Sequence, residues 1–537
     1  MTKKFLCLIF LLTALFYCKA QMPSVEWSKC LGGTQSDQGY ALKETTDGGY
    51  LIGATVSSND NDVSGNHGGT DYWIVKLDTS GAIQWQKCYG GSGIDNLRSL
   101  EITHDGGFIM AGSSSSIDGD VTGNHGPFGN FNYWIVKCDV NGLIEWQKCF
   151  GGSDDERAER IINCYDGGYA VIGISFSHDS LVTGSHWSSS CPWCGDAWMV
   201  KLDSSGNKQW DRCFGGTYEE DGYSLIQTND SGFVLALNTG SDDGDVSGLY
   251  GIPGTVAAND YWIVKIDMYG NVQLQKCIGG NGFDRAYDII PGLDGGYKVI
   301  GGSYSNDGDV SGNHGITDAW LVHLDSLLIP FSQRAMGGSV NDYGKTLIQL
   351  MDSSLITLGS VSSSDGDVSA NHGLDDLWLN QISTGGNLQW EFCMGGSGPE
   401  IAADMVQTSD GKYVILCSSN SSDGDVISNH GGYDAWLIKL SSSPSQTSFL
   451  SFSLTDFAAN FIDMNSSLNV TFYSGENQNL LCEVIDITGR VLMQRPFTST
   501  QGLNSHEFKT GGIFTGIYLV RLESANGCVA KKVPVHQ

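Results

Sequence analysis

Basic residues are scarce in this 537-residue chain: 29 Lys and Arg stand against 60 Asp and Glu, a formal net charge of −31. A surface so acidic repels nucleic acid and anionic lipid, so neither is expected as a partner. Proline is rare too, at 10 residues, while aromatic residues make up 10%, too much apolar content for a disordered chain. The apolar run Phe5 to Tyr17 is too short to span a bilayer comfortably and nothing later matches it, so no membrane span is expected. No long stretch carries helical periodicity. Nucleotide-binding loops, metal-protease motifs and a Ser-His-Asp arrangement do not stand out either, so no enzyme class announces itself.

What the chain has in excess is glycine, 72 residues, clustered with Asp between short apolar runs. That pattern predicts many short strands and tight turns. Residues 1–20 read as a secretory signal peptide: Lys3 and Lys4, then the apolar stretch, then Cys18-Lys19-Ala20 before Gln21. A lipidated Cys18 is disfavoured by the large Phe16 and Tyr17 before it. Cleavage removes three lysines and no acid, taking the net charge from −31 to −34.

A Gly-Gly pair recurs at Gly32, Gly90, Gly151, Gly215, Gly279, Gly337 and Gly395, spaced by 58, 61, 64, 64, 58 and 58 residues. Each unit carries four apolar runs; in the first they are Tyr40–Lys43, Tyr50–Gly53, Tyr72–Val75 and Ala82–Trp85. Asp47-Gly48-Gly49 and its counterparts join the first two runs as hairpin turns. Seven units of four antiparallel strands predict an all-β fold, a seven-bladed β-propeller over residues 24–440, with a linear solenoid as the alternative. The phase of the repeat favours the ring. Val25-Glu26-Trp27-Ser28-Lys29-Cys30 matches a fourth strand, and the repeats end after a third strand, so the first strand is expected to complete the last blade.

Two loop systems should open on one face of such a ring. Four residues after each Gly-Gly pair stands a carboxylate: Asp37, Asp95, Glu156, Glu220, Asp284, Asp342 and Glu400. This acidic ring reads either as a cation site or funnel at the channel mouth, or as carboxylates tying down their own loops. The loop between second and third strands repeats Asp-Gly-Asp: Asp118 and Asp120, Asp307 and Asp309, Asp365 and Asp367, Asp423 and Asp425. Alternating carboxylates offer oxygen ligands to Ca²⁺, the one cofactor considered, and equally suit a self-bonded turn. The Asp before each third-strand Trp is assigned to the same bonding network.

Asymmetry marks three adjacent units. Unit three expands this loop with His186, Trp187 and Trp193, unit four with Tyr250, and unit two with Phe128 and Phe131. These aromatics are the candidate ligand-binding residues, for stacking on sugar rings or gripping a peptide; folding the insertions onto themselves is the other reading. Cys191 and Cys194 are expected to form a local disulfide, because a redox motif needs a helix start that is absent here. Cys30, Cys88, Cys149, Cys213, Cys277 and Cys393 share one position in different blades, too far apart to pair, and are expected as buried free thiols. Cys482 and Cys528 are a candidate pair in the tail.

Residues 441–453, rich in Ser, read as a linker. Beyond it the strands change register. The segments Leu468-Asn469-Val470, Val484 to Val491, Phe514 to Arg521 and Lys531-Lys532-Val533 resemble the C-terminal sorting domain of the type IX (Por) secretion system of Bacteroidota. The resemblance covers 454–537 and implies a small Ig-like β-sandwich that engages that secretion machinery. It also implies a cargo released or attached to the cell surface. The start, Phe457-Ala458-Ala459-Asn460-Phe461, lacks the Asn-Pro often found there. The function expected is a secreted or cell-surface propeller that binds a glycan or protein. The alternatives are an extracellular polysaccharide lyase or hydrolase, and a structural or adhesive surface protein.

Overall fold

The computed structural model describes residues 23–441 apart from 126–128 and 256–258, and in the C-terminal part 454–463, 467–474, 478–485, 491–500, 502–509, 516–524 and 527–535. The signal peptide, the linker beyond Ser441 and Phe128 therefore lie outside the described residues. The chain divides into two compact units, residues 1–443 and 444–537.

In the first unit, each repeat folds as the strand pattern predicts. Blade one runs Asp37–Glu44, Tyr50–Val56, Asp71–Leu77 and Ile83–Tyr89, paired in that order. The second strand is buried along its whole length, which explains its unbroken apolar run, whereas the fourth is half-exposed. Gly48, at φ 77°, makes the Asp-Gly turn that a side chain would strain. Seven such sheets form a closed ring: every first strand packs on those of both neighbouring blades, and Glu400–Gln407 packs on Asp37–Glu44.

Closure comes from the N-terminal strand. Val25–Leu31 pairs antiparallel with Asp434–Leu440 and supplies the fourth strand of blade seven, with Cys30 opposite Trp436 as Cys88 is opposite Trp73. Blade seven is thereby completed to four strands like the other six, and Asp434–Leu440 is not left as its outer edge. The third-strand tryptophans Trp73, Trp134, Trp198, Trp262, Trp320, Trp378 and Trp436 are fully buried between blades. Six donate their indole N–H to a side chain thirteen residues on, as Trp73 does to Gln86 at 2.6 Å. In blade seven the matching position belongs to the N-terminal strand and is Ser28, opposite Ile438, and the Trp436 indole N–H has no partner.

The six equivalent cysteines are free thiols; all but half-buried Cys88 are buried. Burial pushes the Cys30 and Cys149 thiols up to about 12, so they stay protonated and unreactive.

The second unit is a two-sheet sandwich. A three-stranded sheet (Leu454–Asp463, Ser467–Ser474, Gly502–Lys509) and a four-stranded one (Val491–Ser499, Gln478–Ile485, Gly516–Ser524, Gly527–Val535) enclose Leu468, Val470 and Phe472 against Val484, Val520 and Leu522. Cys482 is a free thiol in that core; the side chain of Cys528, its candidate partner, lies outside the described residues.

Deleting Val25–Leu31 should open the ring. The truncated chain is expected to melt at lower temperature than the full chain and to self-associate through the bared Asp434–Leu440 edge, read by thermal unfolding and light scattering. An unchanged, monomeric transition would contradict closure by this strand.

Candidate functional site

The seven carboxylates predicted as an acidic ring each open an innermost strand, and all are fully buried. Each accepts the backbone N–H of the second glycine, four residues earlier, at 2.6–2.9 Å. In five blades a hydroxyl two strands' turn away (Ser114, Ser175, Thr239, Ser303 or Ser419) donates to the other oxygen. None of the seven lines the axial cavity. The funnel reading is thus corrected: Asp37, Asp95, Glu156, Glu220, Asp284, Asp342 and Glu400 are loop ties, because their oxygens are spent on backbone and hydroxyl donors.

A second carboxyl faces six of these across the first glycine of the pair. A methyl group at Gly90 would meet Asp71 Oδ1 at 2.5 Å and Asp95 Oδ2 at 2.6 Å, so only glycine fits there. The outer partners are Asp71, Asp196, Asp260, Asp318, Asp376 and Asp434, with Asn132 in the seventh place. His67, His314, His372 and His430 grip theirs through Nδ1 at 2.6–2.8 Å and through the backbone N–H. His186 and Tyr250 give the same backbone bond, to Asp196 at 2.6 Å and Asp260 at 2.8 Å. Two predicted ligand residues are therefore members of this scaffold.

The Asp-Gly-Asp loops are self-bonded. Asp118 accepts the backbone N–H and hydroxyl of Ser92 at 2.7 and 2.8 Å, and Asp307 accepts Asn281 twice in the same way. Asp365 and Asp423 take the N–H of Ser339 and Ser397. Asp120 and Asp425 take a glycine N–H, Asp367 faces Arg334 at 3.4 Å, and one oxygen of Asp309 is left without a partner. Oxygens turned toward N–H and O–H donors do not suit Ca²⁺, and among the described residues no three His, Cys, Asp or Glu side chains converge as metal ligands. The bonds of Asp118, Asp307, Asp365 and Asp423 fit the self-bonded turn, the other reading of this motif.

The channel itself is lined by a tier whose side chains do not repeat from blade to blade. Each innermost strand carries a β-bulge at its fourth residue, between Gly39 and Ala41 in blade one and at the same place in the other six. The bulged residues are Tyr40, Arg98, Glu159, Tyr223, Tyr287, Lys345 and Ala403, and all seven line an axial cavity of about 450 Å³. Arg160, Asp288 and Asp404 line it one residue further along their strands. The cavity also reaches Asp375, just before a third strand, at the end of the ring where the long loops lie.

Within it, Tyr223 and Tyr287 meet edge to face at 5.3 Å, and the Arg98 guanidinium sits 4.4 Å above the Tyr40 ring. Arg98 faces Glu159 at 3.7 Å. Burial raises the Glu159 and Asp404 carboxyls above the usual range, and nearby cations oppose the shift. Burial lowers the Lys345 amine.

Among the remaining loop aromatics, Trp193 is 86% exposed and lines a groove of about 370 Å³ with Arg157, Phe176 and His178. Trp187 stacks on His178 at 5.6 Å, and Phe131 lies beside Arg157. The Cys191–Cys194 disulfide closes the insertion that carries Trp193.

Burial, reinforced by the facing carboxyl, pushes Asp71 and Asp434 up to about 6 and Asp260 up to about 8. Glu220 rises to about 8 for the same reasons. Since these values exceed those of the unfolded chain, the folded state holds extra protons, and the stability they confer is present at low pH and lost as pH rises toward 8. The melting temperature of the full chain should fall between about pH 5 and pH 8. Asp260→Asn, which mimics the protonated acid, should flatten that slope. A melting temperature that climbs over this interval would overturn the account of the facing carboxyls.

The family described as the secretion system C-terminal sorting domain matches residues 464–536. No curated protein matches the chain. Among solved structures, the chain is similar over 96% of its length to the whole of a fungal alcohol oxidase of the AA5 family in complex with copper, at 10% identity and a TM-score of 0.42. It is similar over 79% to 99% of a DUF4221-family member from Bacteroides vulgatus, at 8% identity and 0.34. The WD40 domain of Pan2 from Neurospora crassa aligns with 63% of the chain over 94% of its own length, at 11% and 0.31. Similarity at this level carries nothing over to the site. The chain is a seven-bladed propeller followed, at residues 464–536, by a type IX secretion sorting domain, which marks it for export to the cell surface or beyond.

Proposed function

We propose that this protein is an exported binding propeller that takes the end of a glycan into its axial cavity. The observation that carries the reading is the bulged tier. Carboxylate ties and tryptophans repeat around the ring, whereas the seven channel side chains comprise three Tyr and one each of Arg, Lys, Glu and Ala. Repetition serves a scaffold; one specific ligand needs unlike groups at like positions. Tyrosine faces suit the C–H face of a sugar, and the charged groups suit its hydroxyl rim.

The groove under Trp193 supports a second contact zone. Arg157 stands two residues before Glu159 on the same strand, so the groove adjoins the channel mouth, and a longer chain would run from one to the other.

Binding of the mature protein to an array of bacterial and plant oligosaccharides tests this. Replacing both Tyr223 and Tyr287 by Ala should lower affinity for the captured glycan by about tenfold or more while the protein remains folded. Trp193→Ala should cost less, about threefold. Binding that survives loss of both tyrosines and disappears with Trp193 would move the ligand out of the channel and onto the loops.

A further inference from the structure

The charges in the axial cavity are unevenly provided for. Its acids have partners: Asp288 accepts the hydroxyls of Ser224 at 2.9 Å and Thr346 at 2.8 Å, and Asp404 accepts the N–H groups of Leu42 at 2.9 Å and Met405 at 2.8 Å. Glu159 faces Arg98. Two cations do not. Among the described residues Lys345 makes no hydrogen bond and no ion pair within 4.0 Å, and it lies 5.3 Å from the centre of the Tyr287 ring. Arg160 makes no ion pair, and its Nε–H is buried without an acceptor.

Glu159 and Asp288 act on Lys345, and Asp288 and Asp404 on Arg160, from beyond ion-pair distance; an enclosed cation with no direct partner is costly, and so is a buried N–H without an acceptor. Burial lowers the Lys345 amine, Arg98 and Arg160 add to the shift by repulsion, and Glu159 and Asp288 oppose it. An arriving anion would relieve all three conditions at once. The ring of Tyr287 lies against Lys345, so an anion carried on a sugar ring could stack and pair in one pose.

We propose that the glycan end bound in the cavity is a uronic acid, its carboxylate held by Lys345 and Arg160 and its ring against Tyr287. This rests on the glycan reading above and adds the chemical class of the ligand.

Calorimetric titration of the full mature chain with trigalacturonate, its neutral methyl ester and inorganic phosphate separates the outcomes. The acid should bind at least tenfold more tightly than the ester at pH 7. Lys345→Met should remove that preference by weakening the acid more than the ester, with a melting temperature no lower than that of the natural chain, since it deletes a half-buried charge that has no ion-pair partner. Arg160→Met should weaken the acid selectively as well. Equal binding of acid and ester, dependent on Tyr287 but not on Lys345, would overturn the uronic acid assignment and leave the glycan reading standing. Phosphate binding as tightly as the saccharide would also overturn it, in favour of a plain anion site. Binding of neither saccharide would overturn it outright.

Discussion

Each innermost strand hangs from one buried carboxylate that holds the N–H of a glycine four residues behind it, and the geometry of the channel follows from that fixed point. The tie sets where the strand starts. The bulge falls three residues on, so it turns the same ordinal residue of every blade into the axis. Because the tie is buried and repeated, the channel position is free to vary without loosening the ring. Scaffold and recognition are thus separated by three residues of sequence. The tie also demands glycine beside it, since two carboxyl oxygens converge where a side chain would stand.

Repetition made the scaffold legible. Seven copies of the same carboxylate, tryptophan and turn reveal strand number, phase and the completing role of Val25–Leu31 in the sequence itself. The functional tier is hidden for the opposite reason. Tyr40, Arg98 and Lys345 share nothing but their place, and a bulge is an excess residue visible only in strand pairing. Tyr40 reads in sequence as one more apolar strand residue. Aligning the units on their carboxylates and asking which column varies most in chemistry would have found the tier.

His186 and Tyr250 were drawn to the ligand site by a different effect. In four blades the anchoring histidine precedes its Asp by four residues, but His186 and Tyr250 precede theirs by ten. The insertions lie between the latch and its anchor, so the equivalence is masked by spacing while the bond is kept. Among the described aromatics in the insertions, Trp193 and Trp187 are exposed, and Trp193 is the more open of the two. The Asp-Gly-Asp motif misleads similarly: alternating carboxylates satisfy a metal and a turn equally well on paper, and only the direction of the neighbouring N–H groups decides.

The central claim is that recognition belongs to the bulged tier. A crystal structure of the mature chain soaked with an oligogalacturonide tests it most directly. The account predicts a saccharide in the axial cavity with its terminal ring against Tyr287 and its carboxylate at Lys345 and Arg160. A saccharide seated only in the groove beside Trp193, with water alone in the channel, would contradict it.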